Sequence, residues 1–161
     1  MKQATVLVIE DNLNIFRLIK TTLTASPGQN GDPYQIIYAP DGISGIEQVW
    51  LACPDIILLD IELPDLDGYE VLQLLRSLEI ATPVIVMTAN AEQSVRYKAF
   101  EAGCSAYLAK PFPSSSLRSC IQELLTDESA ASDRIAQEMV QAEHLLRGFA
   151  SAFHRKGGRN Q

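Results

Sequence analysis

Apolar residues cluster in five short runs, and most of these runs end in a polar or charged side chain. Thr5-Val6-Leu7-Val8-Ile9 leads into Glu10-Asp11, and Ile56-Ile57-Leu58-Leu59 into Asp60. Val84-Ile85-Val86-Met87 leads into Thr88-Ala89-Asn90, and Ser105-Ala106-Tyr107-Leu108-Ala109 into Lys110-Pro111-Phe112. Gln35-Ile36-Ile37-Tyr38 differs in running only into a turn, Pro40-Asp41-Gly42. Contiguous apolar runs of this length predict strands buried on both faces, as in a parallel sheet covered by helices.

Between the runs, apolar positions recur at helical spacing. A helix is expected from about Ile15 to Thr24, with Asn12 or Asn14 as its cap and Ile15, Leu18, Ile19 and Leu23 facing inward. A second runs from about Ser44 to Ala52, with Ile46, Val49 and Trp50 inward, and a third from Gly68 to Leu78. A fourth runs from about Glu92 to Glu101 and ends at Gly103, a natural C-terminal cap. The fifth runs from Leu117 to Leu125, opened by Pro113 and three serines. The stretch from Ser26 to Pro33 is turn chemistry and reads as a surface loop without site residues. Five strands alternating with five helices imply parallel βαβ units and a doubly wound, three-layer α/β fold.

The rhythm breaks after Thr126, which divides the chain into a main domain, residues 1–126, and an extension or linker, residues 127–161. In the extension Ile135, Met139, Ala142, Leu145, Leu146, Phe149 and Phe153 recur at helical spacing, ahead of a basic end, His154-Arg155-Lys156. An amphipathic helix docking on its own domain or on a second copy, a connector to a further domain, and a fragment of a histidine phosphotransfer helix (His144-Leu145-Leu146-Arg147-Gly148) are all open readings of it.

Composition narrows the function classes. Net charge is −7. Fifteen acids and eight bases precede Asp127, and five of each lie from Asp127 onward, so the negative balance lies in the main domain. That argues against a direct nucleic-acid surface, which needs clustered Lys and Arg. No apolar run approaches the ~20 residues of a membrane-spanning helix. With Met1 leading straight toward a strand, no signal peptide is expected. The three cysteines, Cys53, Cys104 and Cys120, form no metal or redox spacing and read as reduced, mostly buried residues of a cytoplasmic protein.

In an open parallel sheet, ligands bind at the C-terminal rim of the strands, near the point where strand order reverses. In the order 2-1-3-4-5, the run without a chemical group at its end is an edge strand, outside the pair that meets at that point. The other four deliver Glu10 and Asp11, Asp60, Thr88 and Lys110. Three carboxylates close together repel one another unless a hard cation intervenes, and an all-oxygen set with room for water suits Mg²⁺ or Mn²⁺. Asp60 keeps an oxygen able to carry a covalent phosphate. The Thr88 hydroxyl and the Lys110 ammonium suit the remaining phosphoryl oxygens, as donor and as point charge.

These groups, with Leu63-Pro64-Asp65-Leu66-Asp67-Gly68 after Asp60, resemble the receiver domain of two-component response regulators, chemotaxis regulators included. The resemblance covers about residues 4–125. It implies a flavodoxin-like five-stranded sheet, Asp60 as phosphoacceptor, and Glu10 and Asp11 as the acidic pair for the metal. It further implies the backbone carbonyl of Glu62 as a third protein ligand, Thr88 as switch hydroxyl, Lys110 as phosphate-binding lysine and Tyr107 as switch aromatic. A cis Lys110–Pro111 bond is expected, and Glu62 and Asn90 occupy positions that tune loss of the phosphate. The implied partners are a histidine kinase or a histidine phosphotransfer protein. A homodimer through the fourth helix, fifth strand and fifth helix, or through the C-terminal helix, is a further expectation. Leu63 stands where the family commonly has Met.

Rival readings are weaker. Each strand-end group has a bland alternative as a turn, cap or solvated residue, and Tyr107 as a core tyrosine that never moves. An EF-hand at Asp65–Gly68 fails because its first and twelfth positions would be Leu63 and Leu74. A haloacid-dehalogenase-type phosphatase would have an Asp where Glu62 stands. A degenerate receiver serving only as a dimerisation scaffold would have no use for an intact acid, threonine and lysine set.

Overall fold

The computed structural model describes residues 3–25, 28 and 31–126. The expected C-terminal extension, residues 127–161, lies outside the described residues, as does part of the Ser26–Pro33 stretch. Among the described residues the elements alternate strictly: β1 (Thr5–Ile9), α1 (Leu13–Thr24), β2 (Gln35–Ala39), α2 (Gly42–Ala52), β3 (Ile56–Asp60), α3 (Gly68–Ser77), β4 (Val84–Thr88), α4 (Gln93–Glu101), β5 (Ala106–Ala109) and α5 (Ser114–Thr126). The strands form one parallel sheet in the order β2-β1-β3-β4-β5, the expected flavodoxin-like arrangement.

The contiguous apolar runs are explained by the two cores. Leu7, Ile9, Ile57, Leu59, Val84 and Val86 face one side, with Val49 of α2, Val71, Leu72 and Leu75 of α3, and Ala99 of α4. Val6, Val8, Ile56, Leu58, Ile85 and Met87 face the other, with Ile19 and Leu23 of α1 and Leu117 and Ile121 of α5. β1, β3 and β4 are buried along their whole length. Each residue of these three strands has a helix layer above or below it, which leaves no position for an alternating polar face.

Tertiary bonds shift several boundaries. α2 begins at Gly42 rather than near Ser44. Besides its own N-cap Asp41, it is capped from a distance by Asp65, whose two carboxylate oxygens accept from Gly42 N and Ile43 N at 2.8 Å each. α5 begins at Ser114, whose hydroxyl bonds Thr22 of α1 at 3.2 Å. Leu18, expected inward, is 57% exposed, at the edge of the buried α1 face formed by Ile19, Thr22 and Leu23. Leu78 is likewise exposed, as the C-cap of α3. Of the cysteines only Cys104 is buried, while Cys53 and Cys120 are half-buried. No helix of the described residues is long and apolar enough to cross a membrane.

Candidate acidic site at the strand ends

The backbone ladder continues one residue past the strands. Glu10 N donates to Ala39 O, Ile61 N to Met87 O, and Lys110 N to Thr88 O, at 3.0, 3.1 and 2.7 Å. These bonds fix the main chain from which the site's side chains leave. The Lys110–Pro111 bond is cis, as expected.

Glu10 and Asp60 are buried, and Asp11 beside them is exposed. One oxygen from each of the three lies within 4.8 Å of the others, a spacing that suits a hard cation. Lys110 Nζ sits 2.7 Å from Glu10 Oε2 and 3.2 Å from Asp60 Oδ2. The second oxygen of each buried acid accepts from backbone: Glu10 Oε1 from Asn12 N at 3.0 Å, and Asp60 Oδ1 from Glu62 N at 3.2 Å. No buried side-chain polar atom of the described residues lacks a partner. Burial, the largest influence, raises the Glu10 carboxyl, the Lys110 bond and the Asn12 N–H oppose the rise, and the Asp60 charge adds to it, for a balance of about 7. A carboxylate this costly to ionise in one ammonium's company gains from a second positive charge. The residues present therefore fit a divalent cation.

Thr88 and Tyr107 form a linked second group. Thr88 ends β4, one residue beyond Met87, the partner of Asp60 in the sheet. Its Oγ1 accepts from Asn90 N at 3.1 Å, and the Tyr107 hydroxyl donates to the carbonyl of the same Asn90. So Glu10, Asp11, Asp60 and Lys110 meet directly and Glu62 joins through its N–H. Thr88 and Tyr107 meet at the Asn90 backbone.

Two contributors were not foreseen from sequence. Gly68 N donates to Ile61 O at 2.8 Å, and a Cβ at Gly68 would lie 2.3 Å from Asp60 O and 2.7 Å from Ile61 Cα. Only glycine lets the turn close this tightly behind Asp60. Asp65 ties the same turn to α2. Burial acts to raise its carboxyl, but the Gly42 and Ile43 N–H bonds outweigh it and hold the carboxyl below its ordinary value. The Pro-Asp-Leu-Asp-Gly composition signals a turn, but it does not say which Asp reaches a helix 22 residues earlier.

The family model described as "Response regulator receiver domain" matches residues 6–122. The KDP operon transcriptional regulatory protein KdpE of Escherichia coli is 36% identical over 125 residues, covering 78% of this chain and 52% of that protein. Response regulator MprA of Mycobacterium ulcerans is 33% identical, covering 83% of this chain and 55% of that protein. Hybrid signal transduction histidine kinase D of Dictyostelium discoideum is 35% identical over 127 residues, only 8% of its length. The chain thus spans about half the length of the two regulators. Among solved structures, the Francisella response regulator 1452 receiver domain superposes with a TM-score of 0.69 at 30% identity, over 76% of this chain and 97% of that one.

Proposed function

The chain belongs to the response regulator receiver family of two-component systems, and on that premise we propose that it is a phosphoryl-accepting switch with Asp60 as its acceptor. The observation that carries the reading is the direct meeting of Glu10, Asp60 and Lys110, from three different strand ends, beside the exposed Asp11.

The phosphodonor is a histidine kinase or a histidine phosphotransfer protein. An Asp60 carboxylate oxygen attacks phosphorus, the P–O bond forms and the P–N bond to the donor imidazole breaks. The imidazole nitrogen keeps the bonding pair and takes a proton. Members of the family bind Mg²⁺ through acidic residues, and here Glu10, Asp11, Asp60 and the Glu62 carbonyl would hold Mg²⁺ or Mn²⁺. Bound there, the cation supplies positive charge against the carboxylates and the incoming phosphoryl group. Lys110, which now neutralises Glu10 and Asp60, has a free path to a phosphoryl oxygen once its acids have another counter-charge. Thr88 leaves Asn90 N to donate to another phosphoryl oxygen. Tyr107 then turns inward and gives up the Asn90 carbonyl, which alters the surface around α4, β5 and α5. That surface, or residues 127–161, serves protein–protein contact, including a homodimer; the setting is the cytoplasm, and nucleic acid is not contacted directly by this domain.

The test is incubation with Mg²⁺ and acetyl phosphate. The expected product is an acid-stable, base-labile adduct on Asp60, seen by intact-mass and peptide analysis and absent from Asp60→Asn. Wild type that gains no phosphate from small donors or from any kinase would be a dimerisation scaffold instead.

A further inference from the structure

Helix α4 is weakly held by its own sequence. It buries one residue, Ala99, where each other helix buries two to five. Its N-cap, Glu92, makes no side-chain cap bond. Two of its large residues, Tyr97 and Phe100, lie exposed.

Tyr69, the second residue of α3, supplies a hold from outside. Its side chain is buried in the core. Its hydroxyl donates to Val95 O of α4 at 3.2 Å, and the Lys98 ammonium lies 4.2 Å from its ring centroid. Val95 and Lys98 are three residues apart and share a helix face. On its other side Tyr69 follows Gly68, which rests against the Asp60 main chain with no room for a Cβ. The α3 start is itself rigid, since Asp67 and Glu70 form a reciprocal capping box at 2.9 Å each way.

We infer that Tyr69 is a positioning residue that latches α4 to the turn behind Asp60. α4 and its leading loop then have two tyrosine tethers. The Tyr107 hydroxyl holds the Asn90 carbonyl, and the Tyr69 hydroxyl holds the Val95 carbonyl five residues on. When Tyr107 lets go, Tyr69 remains as the pivot about which α4 moves. The switching half of this inference rests on the phosphoryl-accepting reading above, and the resting-state half does not.

Hydrogen exchange on the full chain tests both halves. Tyr69→Phe keeps the ring and removes one hydroxyl bond. It is expected to speed amide exchange in residues 94–99 about two- to tenfold while β1 and β3 keep wild-type rates. Lys98→Ala, which leaves the core intact, is expected to speed the same segment. Wild-type exchange in α4 of both variants overturns the inference, and so does an acceleration spread equally over β1 and β3. With acetyl phosphate and Mg²⁺, the change in α4 exchange on phosphorylation is expected to shrink by at least half in Tyr69→Phe; an undiminished change overturns the pivot. Absence of any Asp60 adduct in wild type instead sinks the phosphoryl-accepting reading and leaves the resting-state comparison to decide the latch.

Discussion

At the scale of single residues, Glu10 and Gly68 carry opposite kinds of constraint. Burial is the main reason that the Glu10 carboxyl is raised in the fold to about 7, against an ordinary value of 4.5. A raised folded value means that the proton is held more tightly folded than unfolded. The stability from that proton is complete below about 4.5 and is lost as pH rises through about 7. A cation beside Glu10 removes the cost of ionising it. The rise in melting temperature caused by Mg²⁺ is therefore expected to be larger at pH 8 than at pH 5.5, and the pH dependence should flatten in Glu10→Gln. Gly68 is constrained by space. In Gly68→Ala the new methyl meets Asp60 and Ile61 main chain, which cannot rotate away. Urea titration should show a loss of about 1–3 kcal/mol, together with impaired phosphate acceptance. The acidic and basic site residues were legible in the sequence, because each follows an apolar run. The role of Gly68 beyond a turn was not, because the clash concerns a main-chain approach that no residue pattern spells out.

At the scale of elements, the strands and the central turns of the helices were legible, and the helix starts were not. α2 gains its first turn from Asp65, and α5 packs its first turn on Thr22 through Ser114. Both bonds link distant segments, so local propensity does not report them. Asp65→Ala removes the distant cap but leaves Asp41 bonded to Ser44 N. The expected cost is about 1 kcal/mol, with faster exchange at Gly42 and Ile43 and little change in α5. α1 shows the same limit in its packing. Its apolar stripe puts Leu18 inward, yet Leu18 is exposed and the buried face includes Thr22, whose hydroxyl meets Ser114 of α5. Arg76 is a third long-range link. From α3 it donates to the carbonyls of Ile80, Thr82 and Gly103, and so staples the loops that enter β4 and β5.

At the scale of the whole molecule, the sheet order was legible because strict strand–helix alternation implies a doubly wound parallel sheet, and the common order of such sheets leaves the second strand, which ends in no chemical group, at an edge. The two cores draw on described residues between Ala4 and Leu125, and every group of the candidate site falls between Glu10 and Lys110. Removing residues 127–161 is therefore expected to leave acetyl phosphate acceptance at Asp60 within about twofold of the full chain, while oligomeric state, measured by light scattering, reports what the extension adds. Loss of a dimer on truncation would make the extension the dimer element. An unchanged dimer would point to the α4–β5–α5 face.

The Lys110–Glu10 ion pair joins residues one hundred positions apart, from the first strand and the last. A growing chain makes its acids early and its lysine late. Until β5 has been synthesised and docked on β4, Glu10 and Asp60 have no ammonium between them. A nascent or clipped chain ending before Lys110 carries both buried acids and lacks the ammonium that pairs them. On the function proposed above, a chain ending before Lys110 is expected to gain no Asp60 adduct from acetyl phosphate, so that competence would arrive only with β5.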